Sequence, residues 1–233
     1  MLGGLSGFMK IFGVSTSVRF IPMKVNPEII VRAGLTLLHE IGLEQLTLRR
    51  LASELDIQAP TLYWHFKSKE DLIDAMATLM LAEGASKLIP AKKSEDWKIW
   101  VKTFGHGLRK VLLKHRDGAR VVAGSRLRDT RYMEITEEIG TRLLEEGFSV
   151  RQGVVLLSTV YTFTVSFVIE EQAVFPLPGQ RSIAYDMQKR RARLDAKKFP
   201  LMRQSGAILF DRFERRYRES LELILDGASA RIR

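Results

Sequence analysis

Apolar residues recur every three or four positions along most of the chain, which is the spacing that places them on one face of an α-helix. The first such stretch begins after Asn26, a residue type that caps helices, and ends at Gly42. A later one begins after Ser68. Four longer stretches follow at residues 97–114, 128–146, 151–172 and 206–226, the first of them preceded by Ser94 as a cap. We therefore predict an all-α fold.

Two of the later segments differ from an ordinary amphipathic helix. Residues 151–172 are apolar around most of the helix surface, which predicts burial against more than one neighbour. Residues 188–198 are strongly basic, a pattern typical of a solvated face or a mobile loop. Between them, Pro176, Pro178 and Gly179 break the helical pattern.

Two short helical patterns meet across a tight break between Thr47 and Lys69. Thr47 precedes the first pattern as a cap, and Asp56 follows it at a position that requires a left-handed backbone. Pro60 then opens the second pattern, because a proline in a first turn removes no intrahelical hydrogen bond. This spacing predicts a helix-turn-helix, whose second helix enters the major groove of DNA.

The second of these helices carries more aromatic and polar side chains than a small core needs. One interpretation is that Tyr63, Trp64 and Phe66 fill the core of a small bundle. Leu62 and Phe66, four residues apart, are predicted to face inward, which leaves Tyr63 and Trp64 on other sides of the helix. Lys69 has an unfavourable sign for a first turn, so we predict that it binds a phosphate. The residues predicted to contact double-stranded DNA are Thr47, Arg49, Arg50, Gln58, Ala59, Pro60, Thr61, Tyr63, Trp64, His65 and Lys69.

The motif formed by these two helices resembles the DNA-binding domain of the TetR family of transcriptional regulators. The resemblance is carried by Thr47, Arg49, Leu51 and Ala52, by the run PTLYWH at residues 60–65, and by Lys69, with further likeness at 115–119, 146–149 and 201–204. It implies a three-helix helix-turn-helix domain at residues 23–69. A larger helical ligand-binding and dimerisation domain of about nine to ten helices is then expected at residues 70–233.

The same resemblance implies a ligand-responsive repressor that binds a palindromic operator as a homodimer and is released by a small-molecule inducer. The two long apolar helices late in the chain resemble the pair that forms the family's dimer interface. Arg49 is implied to read a base, and Ala59 offers only a methyl contact where some members present an amide.

The resemblance also implies an inducer cavity in the larger domain. Val122 stands where members that bind a magnesium–drug chelate present a histidine, and an isopropyl group cannot ligate a metal. We therefore expect a metal-free, mostly apolar or aromatic ligand whose polar edge meets Ser125 or Arg126. The alternative is that these residues only fill the core, which applies best to Val154 and Leu157. The expected ligand contacts are Phe104, Leu108, Val122, Ser125, Arg126, Ile139, Val154, Leu157, Tyr161 and Glu170.

The composition argues against several classes of function. The chain has 233 residues and no cysteine, which excludes thiol chemistry and fits a reducing cytoplasm. Its four histidines lie far apart without metal-ligand spacing, and no glycine-rich phosphate loop is present, so we expect no enzyme, metal site or cofactor. A ligand-independent DNA-binding or architectural protein remains the rival interpretation.

Charge and the N-terminus add little to the functional prediction. The net charge of +10 lies mostly beyond residue 83, since residues 23–83 carry six basic and nine acidic side chains. The charge therefore does not mark the DNA-reading helices. Residues 1–22 are apolar, but Lys10 and Arg19 interrupt them and no small-residue cleavage site follows, so we expect a disordered extension, not a signal peptide or a membrane span.

Overall fold

The computed structural model describes residues 26–91, 96–127 and 129–231, so the predictions for residues 1–22 and for Ser94 fall outside the described residues. Within those ranges the chain forms eleven α-helices and two short 3-10 turns, with an isolated bridge between Leu177 and Gln180. The all-α prediction is confirmed. The helices are α1 (Pro27–Gln45), α2 (Leu48–Glu54), α3 (Ala59–His65), α4 (Lys69–Gly84), α5 (Trp97–Leu113), α6 (Gly118–Val122), α7 (Thr130–Glu145), α8 (Val150–Val174), α9 (Met187–Arg193), α10 (Pro200–Phe210) and α11 (Phe213–Ser229).

Side-chain caps start the helices at most of the predicted positions. The Asn26 side chain accepts the N–H of Ile29 at 2.9 Å, and Ser68 accepts that of Asp71 at 3.1 Å. Ser149 begins α8 with a capping box. Asp96 caps α5 by accepting the N–H of Lys98 at 2.8 Å. These contacts explain why local sequence predicted the starts of α1, α4 and α8 well.

The first three helices are attached to the rest of the chain where α1 ends. Gly42 interrupts α1 with a left-handed φ of 77°, and the Asp117 carboxylate before α6 accepts the N–H of Leu43 at 2.9 Å. Arg116 donates to the carbonyl of Glu40 at 2.8 Å. A β-carbon at position 42 would lie 3.1 Å from the Asp117 carboxylate, so glycine serves both the backbone and this close approach.

The larger part of the fold is organised around α5 and α8, with α4, α6, α7 and α11 packed against one or both. At its centre lies a polar cluster. Arg109 is 7% exposed and donates to both carboxylate oxygens of Glu171, at 2.9 and 2.7 Å, and also to Glu214. The Tyr217 hydroxyl lies 2.8 Å from that of Thr164, and burial raises the pKa of Tyr217 to about 12. The buried charges are thus paired.

The prediction that residues 151–172 meet several neighbours is confirmed, but one side of this helix, α8, stays open. Val150, Val154 and Val155 are all more than half exposed. By length and composition alone α8 could cross a membrane. Its packing against α5, α6, α7 and α11 instead identifies it as a core helix with one uncovered apolar face.

The predicted single helix at residues 206–226 is wrong, because the chain breaks between Phe210 and Phe213 into α10 and α11. The Arg181 guanidinium donates to the carbonyl of Phe210 at 3.0 Å and pairs with the Asp211 carboxylate, which satisfies the end of α10. The sequence pattern predicted one apolar stripe along residues 206–226, formed by Ala207, Phe210, Phe213, Tyr217, Leu221, Ile224 and Leu225. Ala207 is instead exposed. Four members of that stripe are buried as predicted: Phe213, Tyr217, Leu221 and Leu225.

The basic run at residues 188–198 is not a loop throughout, because its first part forms α9. The Asp186 carboxylate starts this helix by accepting the N–H groups of Gln188 and Lys189 at 2.9 and 3.0 Å. No residue of α9 is buried. The alternative of a solvated face is therefore confirmed for α9.

Candidate functional site

The turn between α2 and α3 has the predicted geometry. Asp56 adopts a left-handed φ of 51°, and Ile57 donates its N–H to the carbonyl of Ala52 at 3.0 Å. Leu62 and Phe66 are buried, as predicted, while Trp64 is 87% exposed. The interpretation of all the aromatic residues as core is therefore wrong for Trp64. The outer face of α3 is free to contact DNA.

Most of the residues predicted to contact DNA lie at the surface. Thr47 uses its hydroxyl to accept the N–H of Arg50 at 3.1 Å, and the Arg50 guanidinium donates to Gln45 at 3.2 Å. Ala59 and Lys69 are half-buried. The exposed members are Thr47, Arg49, Arg50, Gln58, Pro60, Thr61, Tyr63, Trp64 and His65. Two short helices thus present hydroxyl, amide, aromatic and guanidinium groups together, which is suitable chemistry for DNA.

Lys69 has a structural contact that the sequence did not predict. Its ammonium donates to the carbonyl of Leu43 at 2.8 Å, near the end of α1. An ammonium carries three donors, so this bond leaves two for other acceptors. The predicted phosphate contact stays a prediction, and Lys69 also ties α4 to α1.

A cleft of about 550 Å³ opens between α5, α7 and α8. Of the ten residues expected to contact a ligand, Phe104, Val154, Leu157 and Tyr161 line it. The interpretation of Val154 and Leu157 as core filling is wrong, since Val154 is 61% exposed and Leu157 is half-buried. The remaining lining residues were not among the expected contacts; they are Tyr132, Thr136, Glu137, Gly140, Thr141, Leu144, Val150, Gly153 and Ser158.

One wall of the cleft is aromatic. The ring centroids of Phe104 and Tyr132 lie 6.5 Å apart, and those of Tyr132 and Tyr161 lie 6.4 Å apart. Burial raises the pKa of both the Tyr132 and Tyr161 phenols, so each remains a neutral hydroxyl near neutral pH. Glu137 supplies a carboxylate among the lining residues. The cleft suits a flat, largely apolar molecule with a few polar groups.

The structure does not bring the other six expected ligand contacts to this cleft. Leu108, Val122 and Ile139 are fully buried in the core. The Ser125 hydroxyl donates to the carbonyl of Val121. Exposed Glu170 pairs with Arg216 at 3.4 Å. For the three buried residues the core-filling alternative describes their position in this structure.

Arg126 lies against α4, not on the cleft. Its backbone N–H and its Nε donate to the two carboxylate oxygens of Asp74, at 2.9 and 2.7 Å, and Asp71 accepts from it at 3.3 Å. Asp74 is 5% exposed. The sequence analysis missed this contact, although an aspartate among the apolar residues of α4 is a signal for a buried charge partner. The loop that leads into α7 is thereby tied to the helix that follows the DNA-reading pair.

A second groove of about 460 Å³ runs between α8 and α11. Val155 and Leu223 line it, and they are 52% and 75% exposed. Gly227 and Ala228 also line the groove, and their small side chains leave space there. Exposed apolar residues on two adjacent long helices are typical of a surface that another protein covers.

Comparison with known proteins places this architecture among bacterial regulators. Residues 30–76 match the family model for bacterial regulatory proteins of the tetR family, and residues 89–232 match that for the tetracyclin repressor-like C-terminal domain. The tetracycline repressor protein class A from transposon 1721 of Escherichia coli is 41% identical over 158 residues, which cover 68% of this chain and 72% of that protein.

Two solved structures extend the likeness over most of the chain. A possible TetR family transcriptional regulator from Streptomyces coelicolor A3(2) has a TM-score of 0.77 and 33% identity, covering 88% of this chain and 99% of that one. TetR (class A) in complex with 5a,6-anhydrotetracycline and magnesium has a TM-score of 0.65 and 31% identity, covering 89% and 99%. The helix-turn-helix geometry, the helical core and these matches together show that the chain belongs to the TetR family of transcriptional regulators.

Proposed function

We propose that this protein is a transcriptional repressor that binds a palindromic operator as a homodimer and is released when a small molecule fills the cleft between α5, α7 and α8. The observation that carries the proposal is the bond between Arg126 and Asp74. It joins the loop that leads into α7, one wall of the cleft, to α4, the helix that follows the DNA-reading pair.

The proposed dimer forms through the groove between α8 and α11. Its exposed apolar residues, among them Val155 and Leu223, become buried when two copies pack by a two-fold axis. Such a dimer carries two copies of α3. A two-fold pair reads two half-sites about one helical turn, roughly 34–36 Å, apart.

Selection of bound duplexes from random DNA tests the operator proposal. We expect an inverted repeat bound by two protomers, because each copy of α3 reads one half-site. Recovery of single, unpaired half-sites bound by one protomer would contradict the dimer proposal.

Release follows from a shift between two forms of the dimer. A ligand between α5 and α8 pushes on α7, and the loop before α7 transmits the displacement through Arg126 to Asp74 on α4. Movement of α4 changes the distance between the two copies of α3 in the dimer. To release the operator, the ligand must bind the dimer form in which the two α3 helices are misaligned more tightly than the DNA-binding form, by several kcal/mol.

The proposed inducer is metal-free and mostly aromatic. Val122, where the resemblance implies a metal-binding histidine in chelate-binding members, is fully buried and offers only methyl groups. The aromatic wall formed by Phe104, Tyr132 and Tyr161 suits a planar ring system instead.

Calorimetry with tetracycline checks this ligand class. We expect binding that is weak and unchanged by magnesium, because no imidazole stands at position 122 to hold the metal. Tight binding that appears only when magnesium is added would contradict the proposal.

Replacement of Arg49 by alanine is expected to relax sequence preference. Its exposed guanidinium can donate two hydrogen bonds to one guanine, which contributes about 1–3 kcal/mol of discrimination. Operator and scrambled duplexes are compared by fluorescence anisotropy. Equal weakening on both duplexes would show that Arg49 holds phosphate only.

Lys69→Ala is expected to weaken binding to both duplexes alike and to lower the salt slope by about one, because it removes one phosphate contact. Since Lys69 also donates to Leu43, a thermal melt must accompany the variant. An unchanged salt slope would assign Lys69 to the α1 contact alone.

The proposal includes the cellular setting and the domain boundary. TetR-family regulators are soluble transcription factors without enzymatic activity, and we place this protein in the cytoplasm with no catalytic role. We keep residues 23–69 as the DNA-binding domain and residues 70–233 as the ligand-binding and dimerisation domain.

A further inference from the structure

A third concave surface lies on the segment between α8 and α11, away from both grooves described above. It has a volume of about 510 Å³, and its lining includes the carboxylate of Asp186 and the apolar residues Ile183, Ala184, Met187 and Leu194. The lining also includes Tyr185, Lys189, Arg190, Arg193 and Phe210. We call these five residues the α9 shelf. None of them lines the α5/α7/α8 cleft or the α8/α11 groove.

Aromatic rings form the floor of the α9 shelf. The centroids of Tyr185 and Phe210 lie 5.6 Å apart with their planes tilted by 51°. The Arg190 guanidinium lies 5.3 Å from the Phe210 centroid, and its Nη1 donates to the carbonyl of Met202 at 2.9 Å. This bond fixes the guanidinium over the ring. The floor is therefore a preformed surface of two tilted rings and a guanidinium, against which another ring can pack.

The rim of the shelf carries more positive than negative side chains, with Lys189, Arg190 and Arg193 against Asp186. Lys189 lies 3.9 Å from Asp186, at the outer limit of an ion pair, and in the described part of the chain no acidic side chain pairs with Arg193. Asp186 accepts two backbone N–H groups at the start of α9, and the bond from Lys189 is the main reason that its pKa is lowered. Its carboxylate thus starts the helix and, because it is ionised near neutral pH, offsets part but not all of the positive charge of the rim.

We propose that the α9 shelf binds an aromatic anion, a planar ring system bearing a carboxylate or sulfonate. The ring packs against Phe210 and Tyr185, and the anionic group lies between Lys189 and Arg193. An uncharged aromatic molecule contacts only the aromatic floor, and an inorganic anion contacts only the basic side chains of the rim. Selectivity therefore arises from the combination of stacking and charge. This site is independent of the proposed repressor function.

Isothermal titration of the full chain with 2-naphthoate tests the site. Lys189→Gln/Arg193→Gln removes both rim charges, whereas Lys197→Gln/Lys198→Gln removes the same charge from the same exposed segment outside the cavity. We expect the first pair to raise the Kd of one site at least tenfold and the control pair to change it less than twofold. Uncharged 2-naphthamide is expected to bind that site at least tenfold more weakly than 2-naphthoate.

Three outcomes would overturn the proposal. Equal weakening by both double variants would show only a diffuse electrostatic effect. Equal binding of 2-naphthamide would show simple apolar burial, in this cavity or in the cleft between α5 and α8. Unchanged 2-naphthoate binding, with weaker binding of duplex DNA by the Lys189→Gln/Arg193→Gln variant, would assign the rim charges to phosphate.

Discussion

Replacing Arg109 with methionine is expected to destabilise the fold by about 3–5 kcal/mol, because it leaves a buried carboxylate without its partner. Glu171 is 9% exposed, and both of its carboxylate oxygens accept from Arg109. The guanidinium also lies 5.2 Å from the ring centroid of Tyr217. Chemical denaturation at one fixed protomer concentration measures the loss, since a dimer's stability depends on concentration.

Arg215→Met supplies the control for this result. Arg215 also forms an ion pair on α11, with its Nε 2.7 Å from Oε1 of Glu219, but both side chains are more than half exposed. Such pairs contribute about 0–1 kcal/mol. Removing both charges of the buried pair, as Arg109→Met/Glu171→Met, is expected to recover most of the lost stability. If Arg109→Met cost no more than Arg215→Met, the buried pair would not stabilise the core.

Breaking the bond between Arg126 and Asp74 is expected to reduce at least tenfold the factor by which inducer weakens operator binding. Arg126→Gln and Asp74→Asn each remove one charge of a pair that joins the loop before α7 to α4. Ligand affinity measured without DNA is expected to change little, because neither residue lines the cleft. Operator affinity with and without ligand gives the coupling directly.

Controls separate this coupling from a general loss of stability. Arg131→Gln removes a nearby exposed charge in the first turn of α7, whose partner is Asp129, the residue that caps that helix, so coupling is expected to persist. The double variant Asp74→Asn/Arg126→Gln is expected to show the same coupling as either single variant, since each single variant already breaks the ion pair between Arg126 and Asp74. Additive losses, or full induction in the single variants, would contradict transmission through this pair.

Local chemistry explains why the DNA-reading end was predictable. Thr47 caps α2 and Asp56 takes a left-handed conformation, and both effects depend only on residues a few positions away. The break between α10 and α11 was not predictable in this way. Arg181, about thirty residues earlier in the chain, satisfies the last carbonyl of α10. No periodicity within residues 206–226 contains that information.

Only part of the cleft lining was predictable, because tertiary packing decides the rest. Phe104 and Tyr161, which the resemblance implied, both line the cleft, whereas Tyr132 and Gly140 line it because of the way α7 packs across α5 and α8. Arg126 was itself an expected ligand contact, yet it binds Asp74 on α4. Which face of a helix meets a given neighbour is decided by tertiary packing, so single-sequence periodicity assigns such contacts poorly.

Release of operator DNA by a small molecule can be followed in a single binding titration. A fluorescent duplex selected from random DNA is saturated with protein, and its anisotropy is followed while fractionated extract of the producing cells and a panel of polycyclic aromatic compounds are titrated. We predict that at least one fraction or compound returns the anisotropy to that of free DNA, and that Arg126→Gln blunts this release. A complex that persists in every fraction and with every compound would contradict ligand gating and favour a ligand-independent DNA-binding regulator.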